Sequence, residues 1–190
     1  MNDRPGSIEV VCGCMFSGKT EELIRRLKRA RIARQRVRIF KPAVDKRYAA
    51  DAVVSHDEVR LACTSLLDAQ AILDVVTDEE VVGIDEAQFF GPELIEVAST
   101  LARRGVRVIL AGLDMDYRAR PFGPMPGLLA IAEDVTKLSA VCMQCGGGAH
   151  YSYRLEGGEA TVEVGGGEAY EPRCRRCYEA GVAAPSGLTG

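Results

Sequence analysis

The stretch IEVVCGCMFSGKT, residues 8–20, runs an apolar segment straight into a loop of the form G-x-x-x-x-G-K-[ST]. Residues 8–12 read as a short buried strand. Beyond the loop, Leu23, Ile24, Leu27 and Ala30 recur at helical spacing, with Arg25, Arg26, Lys28 and Arg29 on the other side. Strand, glycine loop and amphipathic helix together are the context in which such a loop wraps phosphates. The glycines let the backbone curl so that successive N–H groups converge on phosphate oxygens, and the helix adds its positive N-terminal end. Gly13, Cys14, Met15, Phe16, Ser17, Gly18, Lys19 and Thr20 are therefore expected to hold the phosphates of ATP or GTP, with Lys19 at the outer phosphates and the Thr20 hydroxyl on Mg²⁺. The arginine-rich run RRLKRARIARQR that follows reads as a solvated helix face.

Outward from the loop, VRIF (residues 37–40), VVGI (81–84) and VRVILAG (106–112) are short apolar runs expected to be strands. Residues 58–76 suggest a short strand and then a helix carrying Leu67, Ala71, Ile72 and Val75. Gly91-Pro92 opens a helix that stops at Gly105, and LDMDYRARPFG (113–123) has turn chemistry throughout. Strands alternating with helices predict an α/β fold, a parallel sheet covered on both faces. The strand VVGI ends in Asp85, which can place a carboxylate beside the metal. Glu86 leaves the chain on the opposite side, so both are not expected to serve one metal. A carboxylate at Glu86 could accept a proton from whatever attacks the γ-phosphate, water in an ATPase or a hydroxyl in a kinase.

At 190 residues, 47% hydrophobic and with a formal charge of −3, the chain has room for one main domain and a small appendage. That balance gives no electrostatic reason to expect nucleic acid as a partner. No membrane span or signal peptide is legible, so a cytoplasmic location is the expectation. Seven cysteines are many for such a chain. Four form two pairs, CMQC (Cys142, Cys145) and CRRC (Cys174, Cys177), which fit a tetrahedral structural Zn²⁺ site better than disulfides in a protein without an export signal. Four sulfurs complete that set without His150. Cys12, Cys14 and Cys63 read as packing residues. The expected organisation is an ATP-binding α/β domain over residues 1–140, a zinc-binding lasso or lid over 141–180 and a flexible tail over 181–190. His56 reads as a local hydrogen-bonding residue, and KPAVDKRY (residues 41–48) is either a ligand loop or a surface turn.

In order along the chain, GCMFSGKT, KPAVDKRY, SHD, GIDEAQFF, LDMDYRARPFG, VCMQC, VGGGEAY and CRRCY resemble the thymidine kinase family of the zinc-containing type. The resemblance implies transfer of phosphate from ATP to the thymidine 5′-hydroxyl. It assigns Glu86 as general base, Asp85 as the magnesium-associated acid, and Arg47, Asp85, Glu86, Ala87 and Gln88 to the ATP site beside the loop. Met15, Phe89, Leu113, Tyr117 and Tyr170 match positions around the thymine ring. Thr161, Val162, Glu163, Val164 and Gly165 match a loop that closes over the base through its backbone. A homotetramer and feedback inhibition by dTTP are further implications. The chain departs from the family at Cys14, where proline is frequent, at Tyr117, where phenylalanine is common, and at Glu58, where many bacterial members have glycine. Tyr117 thereby adds a hydroxyl near the sugar or base. Two other classes compete with a nucleoside kinase. A DNA-repair ATPase would need a basic groove. A zinc-ribbon binding module holding ATP as a structural ligand would leave Glu86 and Phe89-Phe90 without a purpose.

Overall fold

The computed structural model describes residues 5–43, 52–54, 60–155 and 169–183. In chain order the elements are β1 (Ser7–Gly13), α1 (Lys19–Ile32), β2 (Val37–Pro42), β3 (Ala52–Val54), β4 (Arg60–Ala62), β5 (Thr64–Leu66), α2 (Ala71–Val75), β6 (Val81–Ile84), α3 (Leu94–Arg103), β7 (Arg107–Gly112), α4 (Met125–Ile131) and β8 (Asp134–Leu138). A cysteine-bearing region follows with β9 (Ala140–Val141), β10 (Gly148–Ala149), β11 (Tyr151–Arg154), β12 (Tyr170–Arg173) and α5 (Arg175–Ala183).

Six strands form one sheet in the order β5-β2-β6-β7-β1-β8, and every pairing in it is parallel. Alternation along the strands splits the core in two. Ile8, Val10 and Cys12 of β1 join Val108 and Leu110 of β7 under α2, α3 and α4. Val11, Ile39, Val81, Ile109 and Ala111 face the other way, onto Leu23, Ile24, Leu27 and Ala30 of α1. The α/β architecture expected from the strand and helix pattern is the one found. Parallel strands send all their C-terminal ends to one side, which is where ligand loops of such sheets gather.

Two readings need correction. Leu67 lies beyond β5 and before α2, and it is exposed rather than carried on a helix, because β5 continues the extended chain to Leu66. Arg26 is not part of a solvated face. Its side chain is only 12% exposed and bonds Glu22, Glu9, Asp134 and Thr136, joining α1 to β1 and β8. Arg25, Lys28 and Arg29 are exposed, as read. Helix α5 runs to Ala183.

Asp45, Arg47, Tyr48, His56, Asp57, Glu58, Thr161, Val162, Glu163, Val164 and Gly165 lie outside the described residues, as do residues 184–190. Among the described residues no helix is long and apolar enough to cross a membrane.

Candidate active site

β1 ends at Gly13 and α1 begins at Lys19, so residues 14–18 form the connecting loop. Gly13 has φ 146° and a Cβ there would meet the Leu138 carbonyl oxygen at 2.5 Å, which excludes other residues. Gly18 precedes the helix at φ 83°, the left-handed conformation that aims the following amides back toward the loop. Phe16, at φ 62°, takes that conformation without being glycine, and its side chain is exposed. Glu21 and Glu22 in the first turn of α1, with Arg29 and Arg31 in its last, match the helix dipole. Ser17 Oγ donates to the Cys14 carbonyl at 2.8 Å, and Lys19 Nζ donates to the same oxygen at 2.7 Å. Burial lowers the Lys19 pKa, and the charges of Glu86, Asp85 and Asp114 partly counter that.

Across the sheet, β6 delivers Asp85 and Glu86 to the same end. Thr20 Oγ1 lies 3.2 Å from Asp85 Oδ2, so the helix and the β6 end meet at one point. Burial and the neighbouring Glu86 push the Asp85 carboxyl up to about 7. A buried carboxylate beside a hydroxyl is a hard-oxygen donor set that fits Mg²⁺. Glu86 sits at φ 51°, an uncommon backbone state for a residue with a Cβ, and its side chain is exposed. Both residues lie beyond the last strand residue, and their carboxylates take different partners: Asp85 faces Thr20 while Glu86 Oε2 takes a short bond from Gln88 Nε2. Gln88 is itself buried, and its Oε1 accepts the Leu113 N–H at 3.0 Å. It thereby ties the end of β6 to the end of β7. The methyl of Ala87 is in the core, which leaves only its backbone for a ligand.

The loop 113–123 is built on Asp116, whose Oδ1 accepts the N–H groups of Arg118 and Arg120 at 2.9 Å each. Tyr117 lies between Asp116 and Arg118 in the chain. Its hydroxyl accepts from Arg118 Nε at 2.8 Å, and its carbonyl accepts from the Tyr178 hydroxyl at 2.7 Å. Phe89 packs edge-to-face against Phe122 at a 5.6 Å centroid distance. Phe122 was not singled out from the sequence, nor was Asp114, a buried residue whose Oδ2 pairs with Lys137 at 2.7 Å. Asp114 Oδ1 has no hydrogen-bond partner among the described residues.

The cysteine region abuts the loop directly. Met15 donates its N–H to Ser152 Oγ at 3.0 Å, and Cys14 Sγ donates to the Ala149 carbonyl at 3.3 Å. Cys14 also packs in one cluster with Cys142 and Ala149. Cys12, Cys14 and Cys63 are buried, and burial pushes the Cys12 thiol up to about 11, so packing is their role as expected. The other four cysteines converge, their sulfurs all within 4.8 Å of one another, with Cys145 and Cys174 at 3.7 Å. A tetrahedral ion with metal–sulfur bonds of ~2.3 Å separates its sulfurs by roughly 3.8 Å, so the donor set suits zinc. The Cys174 amide, and after it those of Gln144 and Cys145, hold the Cys142 thiol down to about 6. His150 stands outside this cluster.

Comparison with known sequences gives one consistent result. The family model described as thymidine kinase matches residues 6–178. Relatives called thymidine kinase include one from Porphyromonas gingivalis strain W83, 58% identical over 175 residues, covering 92% of this chain and 86% of the relative. Another, from Bacteroides thetaiotaomicron, is 55% identical over 92% of this chain and 88% of the relative. A third, from Rhodothermus sp. strain ITI 518, is 56% identical over 92% of this chain and 82% of the relative.

Proposed function

This chain belongs to the thymidine kinase family, and from that premise we propose that it transfers the γ-phosphoryl group of ATP to the 5′-hydroxyl of thymidine, giving dTMP and ADP. The observation that carries the reading is the meeting of Thr20 with Asp85, at 3.2 Å, beside an exposed Glu86. One carboxylate is thus committed to the phosphate-loop helix and the next, exposed and held at one oxygen by Gln88, can face a substrate. In this reading the loop amides of residues 13–20 and Lys19 bind the phosphates and stabilise charge on the transferred group. Phosphoryl transfer asks mainly for positioning and electrostatics, which a rigid strand-to-helix loop supplies. Arg47 adds a further positive charge near the phosphates. Thr20 and Asp85 would hold Mg²⁺, which supplies neutralisation of phosphate charge.

Glu86 is the general base. As the 5′-oxygen bonds to γ-phosphorus and the bond to the ADP oxygen breaks, the hydroxyl proton passes to the Glu86 carboxylate. Gln88 orients that carboxylate from its buried anchor on Leu113. Met15, Phe89, Leu113, Tyr117 and Tyr170, with residues 161–165, form the thymidine pocket, and Phe122 backs Phe89 there. Cys142, Cys145, Cys174 and Cys177 hold structural zinc, making residues 141–180 a lid module that excludes water from the transfer. A cytoplasmic homotetramer inhibited by dTTP, with no nucleic-acid or membrane partner, completes the proposal.

The test measures ATP turnover with and without thymidine while the nucleoside is followed by chromatography. dTMP formation that depends on thymidine is expected. Thymidine-independent hydrolysis without dTMP would overturn the reading in favour of an ATPase. Glu86→Gln is expected to lower kcat by roughly 10²–10⁴-fold, and an unchanged kcat would remove Glu86 from the role of base.

A further inference from the structure

Arg154 closes β11 directly opposite Tyr170 on β12. Its Nε and one terminal nitrogen donate to the Tyr170 hydroxyl at 3.1 and 2.7 Å. The same guanidinium lies over the Tyr117 ring, 4.0 Å from its centroid, and 5.3 Å from the centroid of Tyr170. One cation therefore holds two aromatic rings from different parts of the chain. Tyr117 belongs to the loop after β7, whereas Tyr170 belongs to the sheet beside the cysteine cluster. Arg154 side-chain contacts thus cross the boundary between the two parts of the molecule.

The chemistry of the contact needs arginine. A planar guanidinium can stack on one ring while donating two bonds to the hydroxyl of another, and the ring quadrupole favours the cation on its face. An ammonium at the same place would keep the charge over Tyr117 and lose the fork to Tyr170. Tyr170 is buried, so its hydroxyl needs a partner there. The Tyr117 hydroxyl accepts from Arg118 Nε at 2.8 Å, and the Arg118 guanidinium lies 5.1 Å from the Tyr117 centroid, so Arg154 at 4.0 Å is the closer of two cations on that ring.

We propose that Arg154 is a positioning residue that sets the separation of Tyr117 and Tyr170 and thereby the fit of the nucleoside between them. The proposal rests on the thymidine kinase reading, in which those two rings flank the base. It assigns Arg154 no contact with ATP, so its loss acts on one substrate only.

The experiment is steady-state kinetics of the zinc-loaded full chain with ATP and thymidine varied independently, together with calorimetric titration of thymidine. Arg154→Gln is expected to raise KM for thymidine and its Kd by roughly 5- to 50-fold, the scale of a lost cation–π contact plus charged hydrogen bonds. KM for ATP is expected to move by less than about twofold on the same grounds, with zinc per chain unchanged. Arg154→Lys is expected to recover part of the thymidine affinity and carries the same test should the glutamine variant not fold. Equal losses for both substrates, or loss of zinc, would reduce Arg154 to a structural residue and overturn the proposal. So would unaltered thymidine affinity in both variants. Failure of the wild-type chain to bind thymidine would instead sink the kinase reading, which separates the two failures.

Discussion

The parallel sheet and the cysteine region reach order by opposite means. In the sheet, all four residues of β6 are buried, and β7 buries every residue after its first. Apolar area removed from water on both faces supplies the stability there. In the cysteine region β9 and β10 are two residues each, Val141 and Met143 are exposed, and the core cluster is Cys14, Ala140, Cys142 and Ala149. Strands that short bury little beyond this cluster and Tyr151, Tyr170 and Tyr178, and in the proposed reading an ion held by the four thiols would add what the small core lacks. The difference matters for the site because the phosphate loop touches both regions. Its ends grow from the sheet and from α1, while its first two residues, Cys14 and Met15, bond Ala149 and Ser152.

Metal removal is the strongest way to break this comparison. Structural zinc contributes of the order of 10 kcal/mol to small modules that fold around it. Chelation of the zinc-loaded chain is expected to raise protease sensitivity within residues 142–178 and to expose the four thiols to a thiol reagent. The circular dichroism of the parallel sheet is expected to persist. Simultaneous loss of the sheet signal would show that the two regions do not differ in what holds them.

The converse change attacks the sheet. Leu110 is fully buried at the centre of β7, between β6 and β1. Leu110→Ala is expected to destabilise the chain by about 2–5 kcal/mol, from lost transfer energy and a residual cavity. Urea denaturation measures it, and metal analysis is expected to show an unchanged zinc content. A variant that folds with normal stability would remove the argument that buried area carries this half.

How much of this was legible beforehand follows from the range of each signal. The glycine loop, the apolar strands and both CxxC pairs are local patterns, and each lies where the pattern put it. Arg26 is the counterexample within one helix. Its spacing marked it as outward-facing, but the edge of the sheet brings Glu9 and Asp134 under it, and those partners are far away in sequence. Ser152 and Arg154 escaped notice for the same reason. Nothing local to YSYR announces that alternate residues of that strand meet Met15 and Tyr117. Phe122 was hidden because an aromatic residue in a turn has no period to betray its packing. Leu67 shows the reverse error, an apolar residue assigned inward by a helical pattern that begins only at Ala71.

The smallest effect concerns the charged seam on α1, where the sheet half uses polar contacts as the cysteine half does. Glu22 accepts from Arg25 at 2.6 and 2.7 Å and from Arg26 at 2.8 Å. The bond from Arg25, with that from Arg26, holds the Glu22 carboxyl down to about 2, against an ordinary value of 4.5. A carboxyl whose pKa is depressed by folding adds stability where it is ionised in both states. The contribution is therefore complete above about pH 4.5 and is lost as the pH falls toward about 2. Solvent screening keeps it to roughly 0.5–1 kcal/mol, well below what the shift alone implies. Glu22→Gln is expected to be less stable than wild type by that amount at pH 7, with the gap closing between pH 4.5 and 2. Stability curves for both chains across that range test the sign as well as the size. A gap that stays constant to low pH would mean that Glu22 acts through packing, and the seam would then belong with the buried area of the sheet rather than with its charges.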